Sequence, residues 1–209
     1  MRTCIYVDGF NLYYGLLKQT SYKWLDLKTL FQRVLPSDCT VDTIKYYTAI
    51  VSARPNDPQA PIRQLAYLNA LESYIPELKV KLGHFLSKEI DLPLADGSWK
   101  LVRVIKTEEK GSDANLAVHL VHDAWQHSFD CYAVVTNDSD LAEAFRIVSK
   151  VLRRRLVLLI PAKKSDRPAS IQLKRWTRRE WKFIPLQDIA DSQLPNPIPG
   201  TNFHKPASW

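Results

Sequence analysis

Short β-rich apolar runs alternate with segments of helical apolar spacing along most of this chain, and that alternation restricts it to an α/β fold. Residues 3–7 form one such run, ending at Asp8, and residues 43–51 form another, preceded by Asp42. Between them, residues 12–17 and 27–35 carry helical spacing, with Asp26 placed to cap the second segment and Pro36 to stop it. Beyond a Pro-rich loop over 54–61, Ile62, Leu65, Ala66, Leu68, Ala70 and Leu71 fit a helix, and residues 78–85 fit a third strand. Leu116, Ala117, Leu120, Val121 and Ala124 then make a helical stripe. A strand over 131–136, a helix over 141–152 and a strand over 156–160 follow, the last closed by Pro161. Strands and helices in this order imply a mostly parallel sheet with helices on both faces. One stretch departs from the rhythm: residues 89–94 and 99–105 flank the turn Ala95-Asp96-Gly97-Ser98, which predicts a hairpin inserted beside the sheet.

A chain of 209 residues, 45% hydrophobic, suffices for one sizeable core, so residues 1–190 are expected to form a single domain and 191–209 a Pro-rich tail, extended or loosely docked. There is no apolar run long enough to span a bilayer and no secretory leader, so the expected setting is soluble and cytoplasmic, with no membrane partner. Cys4, Cys39 and Cys131 are dispersed without a CxxC pair and are expected to be buried thiols. The formal charge of +7 is unevenly spread. Residues 150–182 hold twelve basic residues against Asp166 and Glu180, a net +10, which leaves the remainder at −3. An anionic partner is implied, and Trp176 and Trp181 interleaved with Lys174, Arg175, Arg178, Arg179 and Lys182 suit single-stranded nucleic acid. Core packing accounts for the tryptophans equally well, and Arg153, Arg154 and Arg155 have a structural role available at a helix C-terminus.

In an open parallel sheet, ligands collect at the carboxyl ends of the strands. Two predicted strands end on carboxylates there: Asp8 on one, Asp138 and Asp140 just beyond another. Asp113 opens the helix that enters from the same edge, so four chain-distant acids are expected to converge. Close like charges raise one another's pKa and call for neutralising cations. Mg²⁺ or Mn²⁺, which favour carboxylate and water oxygens, would allow a water to attack a phosphodiester. Each of these acids also precedes a predicted helix and has capping as its alternative role; Asp140 and Glu143 even stand at capping-box spacing.

Three ordered blocks, Tyr6-Val-Asp-Gly-Phe-Asn-Leu-Tyr13, Thr107-Glu-Glu-Lys-Gly-Ser-Asp-Ala-Asn-Leu-Ala117 and Val135-Thr-Asn-Asp-Ser-Asp-Leu141, resemble the signature blocks of NYN domains, relatives of the PIN nucleases. The resemblance runs from about residue 2 to residue 160. It implies a PIN-like, Rossmann-like sheet sandwiched by helices, and metal ligation by Asp8, Asp113, Asp138 and Asp140. It further implies Asn11 holding water or phosphate, Asn137 and Ser139 orienting the acids or substrate, and Lys110 near the phosphate. Asn137 stands where the family often has glycine. The chemistry implied is metal-dependent hydrolysis of RNA. Separately, the density of the +10 segment leads to the expectation that Arg175, Arg178 and Arg179 hold the strand's backbone as it approaches the acids. A non-catalytic nucleic-acid-binding module and a DNA nuclease are the alternatives.

Other signals carry less. His119, His122, Asp123 and His127 crowd one helix, but the all-helical setting of HD phosphohydrolases does not match alternating strands and helices. A haloacid-dehalogenase-like site would need a second Asp where Phe10 stands. No glycine pattern suggests a nucleotide cofactor, and His84 at a strand end is more simply structural.

Overall fold

The computed structural model describes residues 1–209. Six parallel strands form the main sheet: β1 (Arg2–Asp8), β2 (Thr40–Thr48), β3 (Leu78–Leu82), β6 (Cys131–Val135), β7 (Arg155–Ile160) and β8 (Trp181–Phe183), in the spatial order β3-β2-β1-β6-β7-β8. The central strands β1 and β6 are buried on both faces, which is why they are nearly unbroken apolar runs, whereas the edge strands β3 and β8 alternate with polar side chains. Alternation along β1 sends Ile5 and Val7 into one core and Cys4 and Tyr6 into the other.

The first core is closed by α2 (Leu27–Val34) and α3 (Ala60–Tyr74). The second is closed by α4 (Ser112–Trp125) and α5 (Ala142–Arg146), which bring in Leu116, Leu120, Ala144 and Phe145. Each large aliphatic side chain buried in this way contributes about 1.5–3 kcal/mol. Asp26 caps α2 as expected, its Oδ1 accepting from the Thr29 N–H at 3.0 Å. The segments predicted over 12–17 and 141–152 are helical but irregular. α1 (Gly9–Leu12) runs into a π turn over Tyr13–Leu17, and α5 is preceded by a 3₁₀ turn over Ser139–Leu141 and followed by a π turn over Ile147–Val151.

The hairpin is present and longer at its base than its turn signals predict: β4 (His84–Pro93) pairs antiparallel with β5 (Leu101–Lys110) as a separate two-stranded sheet. Gly83 makes the break from β3. A Cβ there would run into the Glu109 carboxylate and lie 2.6 Å from the Lys110 carbonyl oxygen, so glycine lets the root of the hairpin close on itself.

Short elements escaped the sequence pattern: β8, α6 (Ile171–Lys174) and α7 (Leu186–Ala190). The Pro-rich segment after them is anchored. Leu194 and Ile198 are buried in the first core, the Leu194 N–H donates to the Trp24 carbonyl oxygen at 2.9 Å, and Trp24 Nε1 donates to the Pro195 carbonyl oxygen at 3.1 Å. Cys4 and Cys131 are buried and Cys39 is half-buried, all three as free thiols. Burial pushes the Cys4 and Cys131 thiols up to about 12. No helix is long and apolar enough to cross a membrane.

Candidate active site

β1 and β6 are neighbours whose connections leave on opposite sides, so the sheet has its topological switch point between them, where open α/β sheets form a crevice at the strands' carboxyl ends. Asp8 is the last residue of β1 and Asp138 lies just past β6. Asp113 enters on the first turn of α4. All three line one cavity of about 560 Å³, together with Asn11, Ser112 and Glu109.

Asp8 is nearly inaccessible, at 3% exposure, and its carboxylate is held from three directions. The Asn11 N–H donates to Oδ1 at 2.9 Å, the Asn11 amide Nδ2 donates to Oδ2 at 2.6 Å, and the Thr136 hydroxyl donates to Oδ2 at 3.0 Å. The Thr136 oxygen in turn accepts from the Asp138 N–H at 3.1 Å, and Asp138 Oδ1 accepts from the Asp140 N–H at 3.0 Å. Capping and site-building therefore coincide: Asp8 and Asp138 both cap the turns that follow them. The spacing of Asp140 and Glu143 does not produce a capping box, because Asp138 takes that role and Glu143 grips Arg146 at 2.7 and 2.8 Å.

Gly9 follows Asp8 because no Cβ fits: it would lie 2.7 Å from the Tyr47 carbonyl oxygen and 2.8 Å from the Tyr46 ring. On the far wall, Glu109 at the end of β5 accepts from the Ser112 N–H at 3.0 Å and the Ser112 hydroxyl at 2.7 Å, tying the hairpin to the start of α4.

Acids outnumber cations in the crevice, where Arg54 is the one basic residue of the lining. None of the chain's ion pairs includes Asp8, Glu109, Asp113 or Asp138. Burial raises the Asp8 carboxyl despite its three donors, and Asp138 adds to the rise. The Asp113 carboxyl is pushed up to about 6, first by burial and then by Asp8, Asp138, Glu109 and Asp140. Oxygen donors alone, in carboxylate excess, are what Mg²⁺ or Mn²⁺ requires. As they stand, no three acidic, histidine or cysteine side chains converge tightly enough to ligate one ion. The donor chemistry fits such an ion, and Asp113 is the exposed member of the three acids.

The chain belongs to the NYN domain family. The family model matches residues 2–174, and the family lies within the PIN-like nuclease superfamily. One curated relative, the 6-hydroxy-3-succinoylpyridine 3-monooxygenase of Pseudomonas putida, is 31% identical over 236 aligned residues, covering 100% of this chain and 75% of that protein. A solved structure of a protein of unknown function from Vibrio parahaemolyticus superimposes with a TM-score of 0.53 at 18% identity, over 92% of this chain and 96% of that one. That likeness concerns the fold.

Several residues singled out from the NYN signature blocks are not in the crevice. Asp140 is exposed and faces a groove with Ala117 and Val121, reaching Asp113 only through its longer-range field. The Lys110 ammonium pairs with Glu108 at 2.9 Å and is absent from the crevice lining. Ser139 is exposed on the 3₁₀ turn. Asn137 is buried and structural: its Nδ2 donates to the Pro168 carbonyl oxygen at 3.0 Å and its Oδ1 accepts from the Ser170 N–H at 2.8 Å. A glycine could not make that clamp, which gives the departure from the family pattern a physical reason.

The basic segment is divided between two edges of the sheet. Arg178 joins Arg153, Arg154 and Arg155 in a depression at the amino ends of β7 and β8, opposite the crevice, and Arg175 lies over the Trp176 ring. Arg178 and Arg179 adopt left-handed φ of 48° and 72° in the turn before β8. Trp176 and Trp181 pack against the second core. Lys163 and Arg167, by contrast, line a cavity that adjoins the crevice at Phe10, Asn11 and Tyr14. Sequence reasoning also passed over Glu109, Arg54, Phe10, Tyr14 and Phe85 in the crevice wall. Position inside a signature block is the signal that could have marked Glu109 and Phe10. On the histidine-rich helix, Asp123 and His119 have structural partners: Asp123 accepts from Tyr6 and Lys45, and His119 Nδ1 lies 3.0 Å from the Tyr47 hydroxyl.

Proposed function

We propose that this NYN protein is a metal-dependent endoribonuclease whose carboxylates Asp8, Asp113 and Asp138 hold Mg²⁺ or Mn²⁺, with Asp140 contributing charge from the rim. One observation carries the reading: three acids from distant parts of the chain share one crevice at the sheet's switch point, and none of them is held in an ion pair. A bound divalent ion would activate water and offset charge on the departing oxygen. The protein's own part is positioning. Thr136 and Asn11 fix the Asp8 carboxylate, and the Asn137 N–H holds the Asn11 Oδ1 at 3.3 Å, so one Nδ2 hydrogen of Asn11 remains for a phosphate oxygen. Lys163 and Arg167 supply phosphate contacts along the adjoining wall. RNA is preferred to DNA on the family resemblance.

The test is purified protein with labelled single-stranded RNA and DNA in Mn²⁺, Mg²⁺ or EDTA. Metal-dependent cutting of RNA supports the proposal. RNA binding without cleavage under either ion, and no rise in melting temperature with metal, would make the protein a binding module instead.

A second reading comes from the curated relative's name, oxygenation of a substituted pyridine, and is favoured by the 31% identity across the whole of this chain. Its assay is oxygen uptake with a hydroxypyridine acid and a two-electron reductant. Substrate-dependent uptake without RNA cleavage would favour this reading over the nuclease.

A further inference from the structure

A second cavity of about 340 Å³ lies beside the crevice and shares with it Phe10, Tyr14, Val51, Ser52 and Arg54. Its size suits a small ligand, for which pockets run from about 300 to 1,000 Å³. Its lining is rich in aromatic rings, from Tyr13, Tyr14, Tyr46, Tyr67 and Trp209. These rings brace one another: Tyr67 meets Trp209 edge to face with centroids 5.8 Å apart, and Tyr13 meets Tyr14 at 5.2 Å. Rigid aromatic walls recognise a planar guest at small entropic cost.

The lining is also cationic, with Lys18, Lys23, Arg54 and Arg63 against the single acid Asp57. Arg63 engages Asp57 only through Nη2, which donates to both carboxylate oxygens at 2.6 Å. Its Nε is buried and has no acceptor. A buried guanidinium N–H without an acceptor is costly, and a ligand oxygen is what this position lacks. The Lys23 ammonium is held below its ordinary range, first by burial and then by the charges of Lys205 and Arg63.

We propose that this cavity binds one nucleotide of the substrate strand, with the base among the tyrosines and Trp209 and a phosphate on Arg63. The shared wall would then lead the adjacent phosphodiester towards Asp8, Asp113 and Asp138. The identity of the ligand rests on the nuclease reading, but binding to this pocket needs neither metal nor cleavage, so the two ideas can fail separately.

The test is calorimetric titration of the full chain, in EDTA, with nucleoside 5′-monophosphates, unphosphorylated nucleosides, ribose 5-phosphate and nicotinate. Monophosphates should bind saturably and about tenfold or more tighter than the nucleoside or the sugar phosphate, because charge-assisted and stacking contacts are both required. Arg63→Met should remove that preference while leaving the weak nucleoside binding. Arg63→Lys, which retains a cation for Asp57 but lacks the Nε hydrogen, should melt like the wild type and still lose most of the preference. Absence of saturable monophosphate binding, indifference to Arg63→Met in a folded variant, or nicotinate binding as tight as a nucleotide would overturn the proposal. RNA cleavage unaffected by Arg63→Met, alongside no mononucleotide binding, would overturn the subsite and leave the nuclease standing. Mononucleotide binding that Arg63→Met abolishes, in a protein that cuts no RNA, would support the subsite and count against the nuclease.

Discussion

In metal-free protein, Asp113→Asn should raise stability above neutral pH. The Asp113 carboxyl stands at about 6 in the folded chain against its ordinary 3.8, because burial and the fields of Asp8, Asp138, Glu109 and Asp140 oppose its ionisation. Below pH 3.8 the folded and unfolded states both hold the proton and no penalty arises; as pH rises through 6 the folded state must ionise and the stability is lost. At ~1.4 kcal/mol per pKa unit the gap would be about 3 kcal/mol. The side chain is exposed, so solvent screening reduces it to about 1 kcal/mol. For a chain of this length that corresponds to a rise of about 2–4 °C in Tm. The assay is thermal melting in EDTA at about pH 5 and about pH 8, with and without Asp113→Asn. The variant's advantage should grow with pH. Divalent metal should then reverse the order: an ion at ~100 times its Kd stabilises the wild type by about 2.7 kcal/mol, and the variant by much less. A variant destabilised equally at both pH values, or one stabilised by Mn²⁺ as much as the wild type, would refute both the crowding argument and the ligand assignment.

Asp138→Asn should abolish RNA cleavage while leaving melting and RNA affinity nearly unchanged, since an asparagine Oδ1 can still accept from the Asp140 N–H; a cleavage time course beside a binding isotherm checks it. Lys163→Ala with Arg167→Ala should weaken RNA binding alike across sequences and flatten its log-log salt dependence by roughly 0.7 per lost phosphate contact. The same measurement on Arg175→Ala, Arg178→Ala and Arg179→Ala together should show the smaller effect, because Arg178 and its neighbours lie at the opposite edge of the sheet. Gly9→Ala should cost about 1–3 kcal/mol in a denaturant melt and depress cleavage, as its Cβ would push against Tyr46 and the Tyr47 carbonyl beside Asp8.

Much of this fold is written locally, in features a chain carries before it folds. Apolar runs buried on both faces mark β1 and β6, the helical stripe of Leu116 and Leu120 marks α4, and Asp26 and Pro36 bound α2, because side-chain periodicity and capping depend on near neighbours. Asp8 and Asp138 were legible as site candidates for a related reason: a parallel strand that ends on a carboxylate delivers it to the sheet's ligand-binding edge. Tertiary structure decided what depends on pairing across long separations. It drew Glu109 into the crevice through the closure of the hairpin at Gly83, turned Asp140 outward and tied Lys110 to Glu108. It used Asn137 to clamp residues 168–170, and divided one +10 segment between two opposite edges of the sheet. It also anchored the Pro-rich segment on Trp24 and set Trp209 beside Tyr67, completing an aromatic pocket whose walls are separated by most of the chain's length. Net charge and motif spacing are sums along the chain, whereas a site is a set of directions in space, and those are settled only when strand order and turn geometry bring distant residues together.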